Sequence, residues 1–203
     1  MLISITGACT EVCFCDVITT KVDCSNQQLG EFPNFDSVSF QVSDLILSKN
    51  SIYTISSTDL KSETLKELIN LQLNSNFISK IEVGAFSNLK SLKVLKMTFN
   101  SLEMFPTSSL VELSSTLEVL DISYNSVVQA NFDVRMLKLK HLNMEFNGLN
   151  EIKNNSFSGL ESLETLNLNY SPLRSLKEDG SSLNGLSTLK KLLMSTTNFM
   201  RTS

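Results

Sequence analysis

The sequence predicts an α/β solenoid, a curved horseshoe of short turns with a parallel β-sheet on its concave face and a disulfide staple at its N-terminal end. Three observations predict it. The pattern L-x-x-L-x-L-x-x-N-x-L recurs seven times in one frame. All four cysteines fall within the first 24 residues. Between the motifs, short segments set an aromatic three residues before a leucine, as at Phe86/Leu89 and Phe157/Leu160.

The cysteines come first along the chain. Cys9, Cys13, Cys15 and Cys24 have the spacing C-x3-C-x-C-x8-C. Four cysteines in one short segment read as two bridges or as a metal site. Zinc ligands usually come as two close pairs parted by a longer loop, which this is not, and the only histidine, His141, lies far away. Spacing therefore favours disulfides, and disulfides imply an oxidising compartment. Residues 1–8 (MLISITGA) are apolar and end in small residues, as a signal-peptide remnant would. They lack a basic n-region and a full-length apolar run, so secretion is inferred from the cysteines.

The repeats follow. Their copies read VSDLILSKNSI from Val42, LINLQLNSNFI from Leu68, LKVLKMTFNSL from Leu92 and LEVLDISYNSV from Leu117. LKHLNMEFNGL from Leu139, LETLNLNYSPL from Leu163 and LKKLLMSTTNF from Leu189 complete the series. The asparagine position falls at Asn50, Asn76, Asn100, Asn125 and Asn147, then at Ser171 and Thr197, in steps of 26, 24, 25, 22, 24 and 26 residues. L-x-L alternation makes a short strand with leucines inward and the x residues outward. Neighbouring strands stack in parallel, so each turn buries its leucines against the next and none stands alone. The asparagine sits where the chain bends away, and its amide can satisfy backbone groups that the bend leaves unpaired. Ser171 and Thr197 reach less far, so a weaker ladder is expected there. Phe86 and Phe157, spaced with their leucines for one inward face of a helical turn, are assigned to the core.

The stretch CTEVCFCDVITTKVDCSNQQLGEFP resembles the cysteine-rich N-terminal cap of extracellular leucine-rich-repeat proteins, and the turns after it resemble that superfamily's typical repeats. Toll-like receptors, Slit-type guidance proteins, small proteoglycans and lamprey variable lymphocyte receptors share both. The resemblance implies the pairing Cys9–Cys15 and Cys13–Cys24, although four cysteines can pair in three ways. It divides the chain into a cap at 9–38 and a leucine-rich-repeat solenoid at 39–203. The family's C-terminal cysteine cap does not follow before Ser203, so the chain reads as a fragment.

The outward positions form columns across the turns. The first reads Ser43, Ile69, Lys93, Glu118, Lys140, Glu164, Lys190, alternating in sign from Lys93 onward. Strands lie about 4.8 Å apart, so this column is expected to neutralise itself. The central column reads Ile46, Gln72, Lys96, Asp121, Asn143, Asn167, Leu193. The last reads Lys49, Ser75, Phe99, Tyr124, Phe146, Tyr170, Thr196. Four consecutive aromatics beside polar groups have the make-up of a protein-binding hot spot, or else they cover the bend. The candidate binding set is Phe99, Tyr124, Phe146 and Tyr170 with Lys96, Asp121 and Asn143. Two N-x-[ST] sequons, at Asn154 and Asn169, are candidate glycosylation sites.

Bulk numbers narrow the function. At 203 residues, 41% hydrophobic and 19% charged, the chain is long and apolar enough for a core. A net charge of -4 argues against nucleic acid, and no apolar run is long enough to span a bilayer. His141, Asn143 and Glu145 share one strand face, but a single histidine is too little for a usual zinc site. No G-x-S-x-G, Walker loop or G-x-G-x-x-G is present. Neither enzymatic activity nor a cofactor is expected. The resemblance implies a recognition module of a receptor or adhesion ectodomain, binding a protein ligand, a partner receptor or a glycan. A secreted matrix or proteoglycan-type structural protein is the alternative, and an enzyme inhibitor a third reading.

Overall fold

The computed structural model describes residues 9–132, 134–174 and 181–195. Eleven short strands run through them. They are β1 (Phe14–Asp16), β2 (Lys21–Asp23), β3 (Asp44–Ile46), β4 (Thr54–Ile55), β5 (Asn70–Gln72) and β6 (Lys80–Ile81). Then come β7 (Val94–Lys96), β8 (Val119–Asp121), β9 (His141–Asn143), β10 (Thr165–Asn167) and β11 (Lys191–Leu193). Nine of them form one sheet in the order β1-β2-β3-β5-β7-β8-β9-β10-β11. Only the β1–β2 pair is antiparallel.

The cap is that hairpin. At its turn the Asp16 carboxylate accepts hydrogen bonds from the Ile18 and Thr19 amides and from the Thr19 hydroxyl. Cys9 is bridged to Cys15 and Cys13 to Cys24, the pairing that the resemblance implies. β2 then pairs in parallel with β3, so the cap closes the end of the sheet and covers the first repeat.

From β3 on, the register puts Leu45, Leu71, Leu95, Leu120, Leu142, Leu166 and Leu192 side by side. The first six are buried, each covered by the turns on both sides. Leu192, on the outermost described strand, is 36% exposed. Phe35, Phe86 and Phe157 are fully buried, as core side chains should be. A second, two-stranded parallel sheet, β4–β6, follows the bend of two early turns.

The return side contains little helix. One four-residue helical turn, α1 (Thr107–Leu110), and three-residue 3₁₀ turns at Glu63–Leu65, Val111–Leu113 and Ser181–Leu183 are all that forms among the described residues. The segments around Phe86 and Phe157 are chains of i→i+3 turns, among them the bonds from the Leu89 amide to the Phe86 carbonyl and from the Leu160 amide to the Phe157 carbonyl. This is enough to turn both side chains inward. After strand and bend, a repeat of 22–26 residues leaves too little chain for a helix that would be stable alone.

Candidate functional site

The bend after each strand comes first, because it orients everything on the edge beyond it. At Asn76, Oδ1 accepts from the Ile52 amide of the preceding turn (3.1 Å), while Nδ2 donates to the carbonyls of Leu47 (2.9 Å) and Leu73 (3.0 Å). Asn50, Asn125 and Asn147 repeat this arrangement, and Asn100 keeps the two bonds to the preceding turn while its second donation goes to the Thr98 carbonyl (3.3 Å). One side chain thus satisfies three backbone groups across two turns. At Ser171 the ladder fails: its hydroxyl is buried and has no hydrogen-bond partner among the described residues. Thr197 lies outside the described residues.

The residue just before the asparagine is left-handed in every described turn: φ is 60° at Lys49, 57° at Ser75, 54° at Phe99 and Tyr124, 51° at Phe146 and 56° at Tyr170. A non-glycine residue pays about 1 kcal/mol or more to stand there. The asparagine bonds hold it in place, because this reversal is what swings the amide under the sheet. The same reversal throws the preceding side chain outward. Phe99, Tyr124, Phe146 and Tyr170 therefore line up along the sheet edge, 37–53% exposed.

Their rings stack. Centroids are 4.1 Å apart for Phe99–Tyr124, 4.6 Å for Tyr124–Phe146 and 4.2 Å for Phe146–Tyr170, with planes within 19° of parallel. The faces between rings are thus taken by neighbouring rings. What the ridge offers a partner is ring edges, which carry the positive end of the aromatic quadrupole, and two tyrosine hydroxyls. The next member of this column, Thr196, lies outside the described residues.

Beside the ridge runs a polar staircase. Asn143 Nδ2 donates to Asp121 Oδ2 (3.2 Å), and the Glu145 amide donates to Asn143 Oδ1 (3.1 Å). Asn167 Nδ2 donates to Glu145 Oε2 (3.0 Å), and the Asn169 amide donates to Asn167 Oδ1 (3.1 Å). Asn169 Oδ1 then accepts from the Ser195 amide (2.7 Å). Lys96 stands opposite Asp121 in the register. The structure therefore gathers Phe99, Tyr124, Phe146, Tyr170, Lys96, Asp121 and Asn143 on adjacent turns of one face. Asn167 stood in the central column but outside the candidate binding set, and the columns left out Asn169 and Ser195 as members of this network. Period-two alternation continued one step past each strand reaches the last two, and the partners of Asn167 follow from the fold.

On the opposite edge, the first column does neutralise itself. Lys140 Nζ lies 2.9 Å and Lys93 Nζ 3.9 Å from the Glu118 carboxylate, and Lys190 Nζ lies 2.9 Å from that of Glu164. The bond from Lys140 holds the Glu118 carboxyl below its ordinary range, and the bond from Lys190 does the same for Glu164. Lys140 is in turn held above the usual lysine value by its bond to Glu118. Of the two sequons, Asn154 is exposed on the return side, its Oδ1 accepting from the Ser181 hydroxyl (2.9 Å). Asn169 is half-buried on the sheet face, between Asn167 and Tyr170.

Among the described residues, no helix is long and apolar enough to cross a membrane. The family model for leucine-rich repeats matches residues 66–127. Tsukushi of Gallus gallus is 31% identical over 204 residues, covering 89% of this chain and 54% of its own length. Keratocan of Bos taurus is 32% identical over 174 residues, 83% of this chain and 47% of its own. Osteomodulin of Mus musculus is 29% identical over 173 residues, 83% and 39%. The chain spans about half the length of these relatives, or less. Among solved structures, human 5T4 (Wnt-activated inhibitory factor 1, trophoblast glycoprotein) superposes with a TM-score of 0.65 at 20% identity, over 92% of this chain and 80% of that one. TLR13 in its complex with ssRNA13 gives 0.69 at 24% identity, over 75% and 21%, and both likenesses speak for the fold. With its repeat frame, asparagine ladder and paired N-terminal cysteines, the chain belongs to the leucine-rich-repeat superfamily.

Proposed function

We propose that this chain is an extracellular recognition module, part of a receptor or adhesion ectodomain, that binds a protein partner on the concave face of its sheet. The observation that carries the reading is the stacked, exposed ridge Phe99–Tyr124–Phe146–Tyr170 beside the polar staircase. Four rings locked by mutual stacking lose little conformational freedom on binding, which is the economy of a preorganised site. The staircase holds Asp121 and Asn143 in fixed orientations, so they select among partners rather than adapt to them. Two disulfides support the extracellular placement.

A second reading is a secreted, matrix-organising protein of proteoglycan type. The relatives Tsukushi, osteomodulin and keratocan favour it as much as the receptor reading. Both readings need a binding face, and they differ in what that face serves.

The test screens the immobilised chain against purified ectodomains and matrix proteins, then repeats each hit with a Tyr124→Ala/Phe146→Ala variant. Partners lost by the variant, while both proteins remain folded at the assay temperature, place recognition on the ridge. Partners held equally by both would move it elsewhere.

A further inference from the structure

The two N-x-[ST] sequons play no part in the recognition reading, and the fold places their acceptor asparagines differently. Asn154 is exposed at the start of a turn on the return side. Its Oδ1 accepts from the Ser181 hydroxyl (2.9 Å), and no described residue accepts a hydrogen bond from its Nδ2. Asn155, the middle residue of that sequon, has a left-handed φ of 58°, and its own Oδ1 accepts from Asn184 Nδ2 (3.1 Å). The turn is thus anchored through other atoms while the Asn154 nitrogen is left over. Gln129, Asn131, Glu151 and Lys153 line the polar hollow beside it, groups that the hydroxyls of a first sugar can hydrogen-bond.

Asn169 is set in the sheet face, half-buried between Asn167 and Tyr170. Its Oδ1 is fixed by the Ser195 amide (2.7 Å) and the Ser195 hydroxyl (2.9 Å). A sugar on its Nδ2 would have to grow across the staircase or over the Tyr170 ring. The hydroxyl residue of this sequon, Ser171, is followed by Pro172. Proline keeps the residue before it out of the helical region, which stiffens the segment in an extended form. Ser156 is followed by Phe157 and carries no such restraint. Both serines are buried once the turns have closed, so either sequon has to be read before its own turn packs. At that stage the proline-free sequon is the more pliable of the two.

We propose that Asn154 carries an N-linked glycan and that Asn169 stays unmodified. In the transfer, Asn154 Nδ2 forms a bond to the anomeric carbon of an oligosaccharide carried on a lipid pyrophosphate. The bond from that carbon to the pyrophosphate oxygen breaks, its electron pair leaves with the pyrophosphate, and one amide proton passes to the medium. The linkage uses Nδ2 alone, so Oδ1 keeps its bond from Ser181. A bulky, hydrated glycan then covers part of the return side and leaves the ridge open to a partner. The site rests on the extracellular placement, which the disulfides support, and not on the ridge.

The test uses the full chain secreted from eukaryotic cells and digested with peptide N-glycosidase, which releases the glycan and turns its asparagine into aspartate. Peptide mass spectrometry of the wild type then reads the site directly, whatever the folding of any variant. The expected result is conversion at Asn154 and none at Asn169. Wild type and Asn169→Gln should both lose apparent mass on digestion, whereas Asn154→Gln should migrate unchanged. Secreted chain with both disulfides formed and Asn154 bare, or with a glycan at Asn169, would overturn the proposal and leave the extracellular reading standing. Chain retained in the cell with all four thiols free would overturn both.

Discussion

The side-chain amide of Asn125 donates to the carbonyl of Met97, one turn back, across 2.9 Å. Its Oδ1 meanwhile accepts from the Leu102 amide, also at 2.9 Å. One side chain thereby ties two successive turns at the point where neither backbone can pair with itself. Lateral cohesion of the solenoid depends on this stitch as much as on the leucines beneath it.

Removing it should cost what unpaired backbone groups cost. Asn100→Ala and Asn125→Ala are each expected to lower stability by about 1–3 kcal/mol in urea unfolding. Exposed Asn131→Ala, outside the ladder, should cost far less. Equal unfolding midpoints for all three variants would mean the ladder carries no weight.

The converse change tests the gap at the sixth turn. Ser171 is buried at the ladder position with a hydroxyl that has no partner among the described residues. Ser171→Asn lengthens the side chain to the reach its five predecessors use and should raise stability by about 1 kcal/mol. A fall in melting temperature would show that the pocket at this turn has closed around serine.

At the ridge, Tyr124 combines a left-handed backbone with two ring stacks. Both Tyr124→Ala and Tyr124→Gly lose the stacking, worth about 0.5–1.5 kcal/mol per pair. Only alanine keeps the left-handed penalty, so Tyr124→Gly should be the more stable of the two by about 1 kcal/mol. The opposite order in thermal unfolding would contradict the conformation assigned to this bend.

The cap makes a chemical prediction. Material secreted from eukaryotic cells should yield Cys9–Cys15 and Cys13–Cys24 linked peptides by mass spectrometry without reduction. Cys13→Ser/Cys24→Ser should cost about 2–5 kcal/mol, the usual loss for a disulfide in a secreted domain. Four free thiols in folded, secreted protein would remove the case for an oxidising compartment.

The charge ladder sets a pH dependence. The Glu118 and Glu164 carboxyls are depressed from an ordinary value of 4.5, chiefly by their bonds from Lys140 and Lys190. Groups depressed in the folded state stabilise it above the unfolded value, and that contribution is lost as pH falls through and below the mid-fours. Melting temperature should therefore drop across this window, less steeply in Lys140→Gln/Lys190→Gln and in high salt. Identical profiles for wild type and variant would assign the acid sensitivity to Asp16, Asp23 and Glu82, which are also depressed.

By itself the sequence determined which residues face in, which face out and which turn each belongs to. Period-two alternation and a 22–26-residue step are one-dimensional quantities, and parallel stacking converts them directly into columns such as Leu45 to Leu192. The family's cysteine pattern likewise carried the pairing found in the cap. Only the tertiary structure decided what happens between columns. Whether Phe99 and Tyr124 stack or splay depends on the left-handed bend that both turns share. Which lysine takes Glu118 depends on how side chains 22 and 25 residues away reach across the sheet edge. The bonds of Asn167 to Glu145 and of Asn169 to Ser195 arise in the same way. Composition names such groups, but their partners are set by a register that exists only after the turns have closed on one another, because each contact joins residues a full repeat apart.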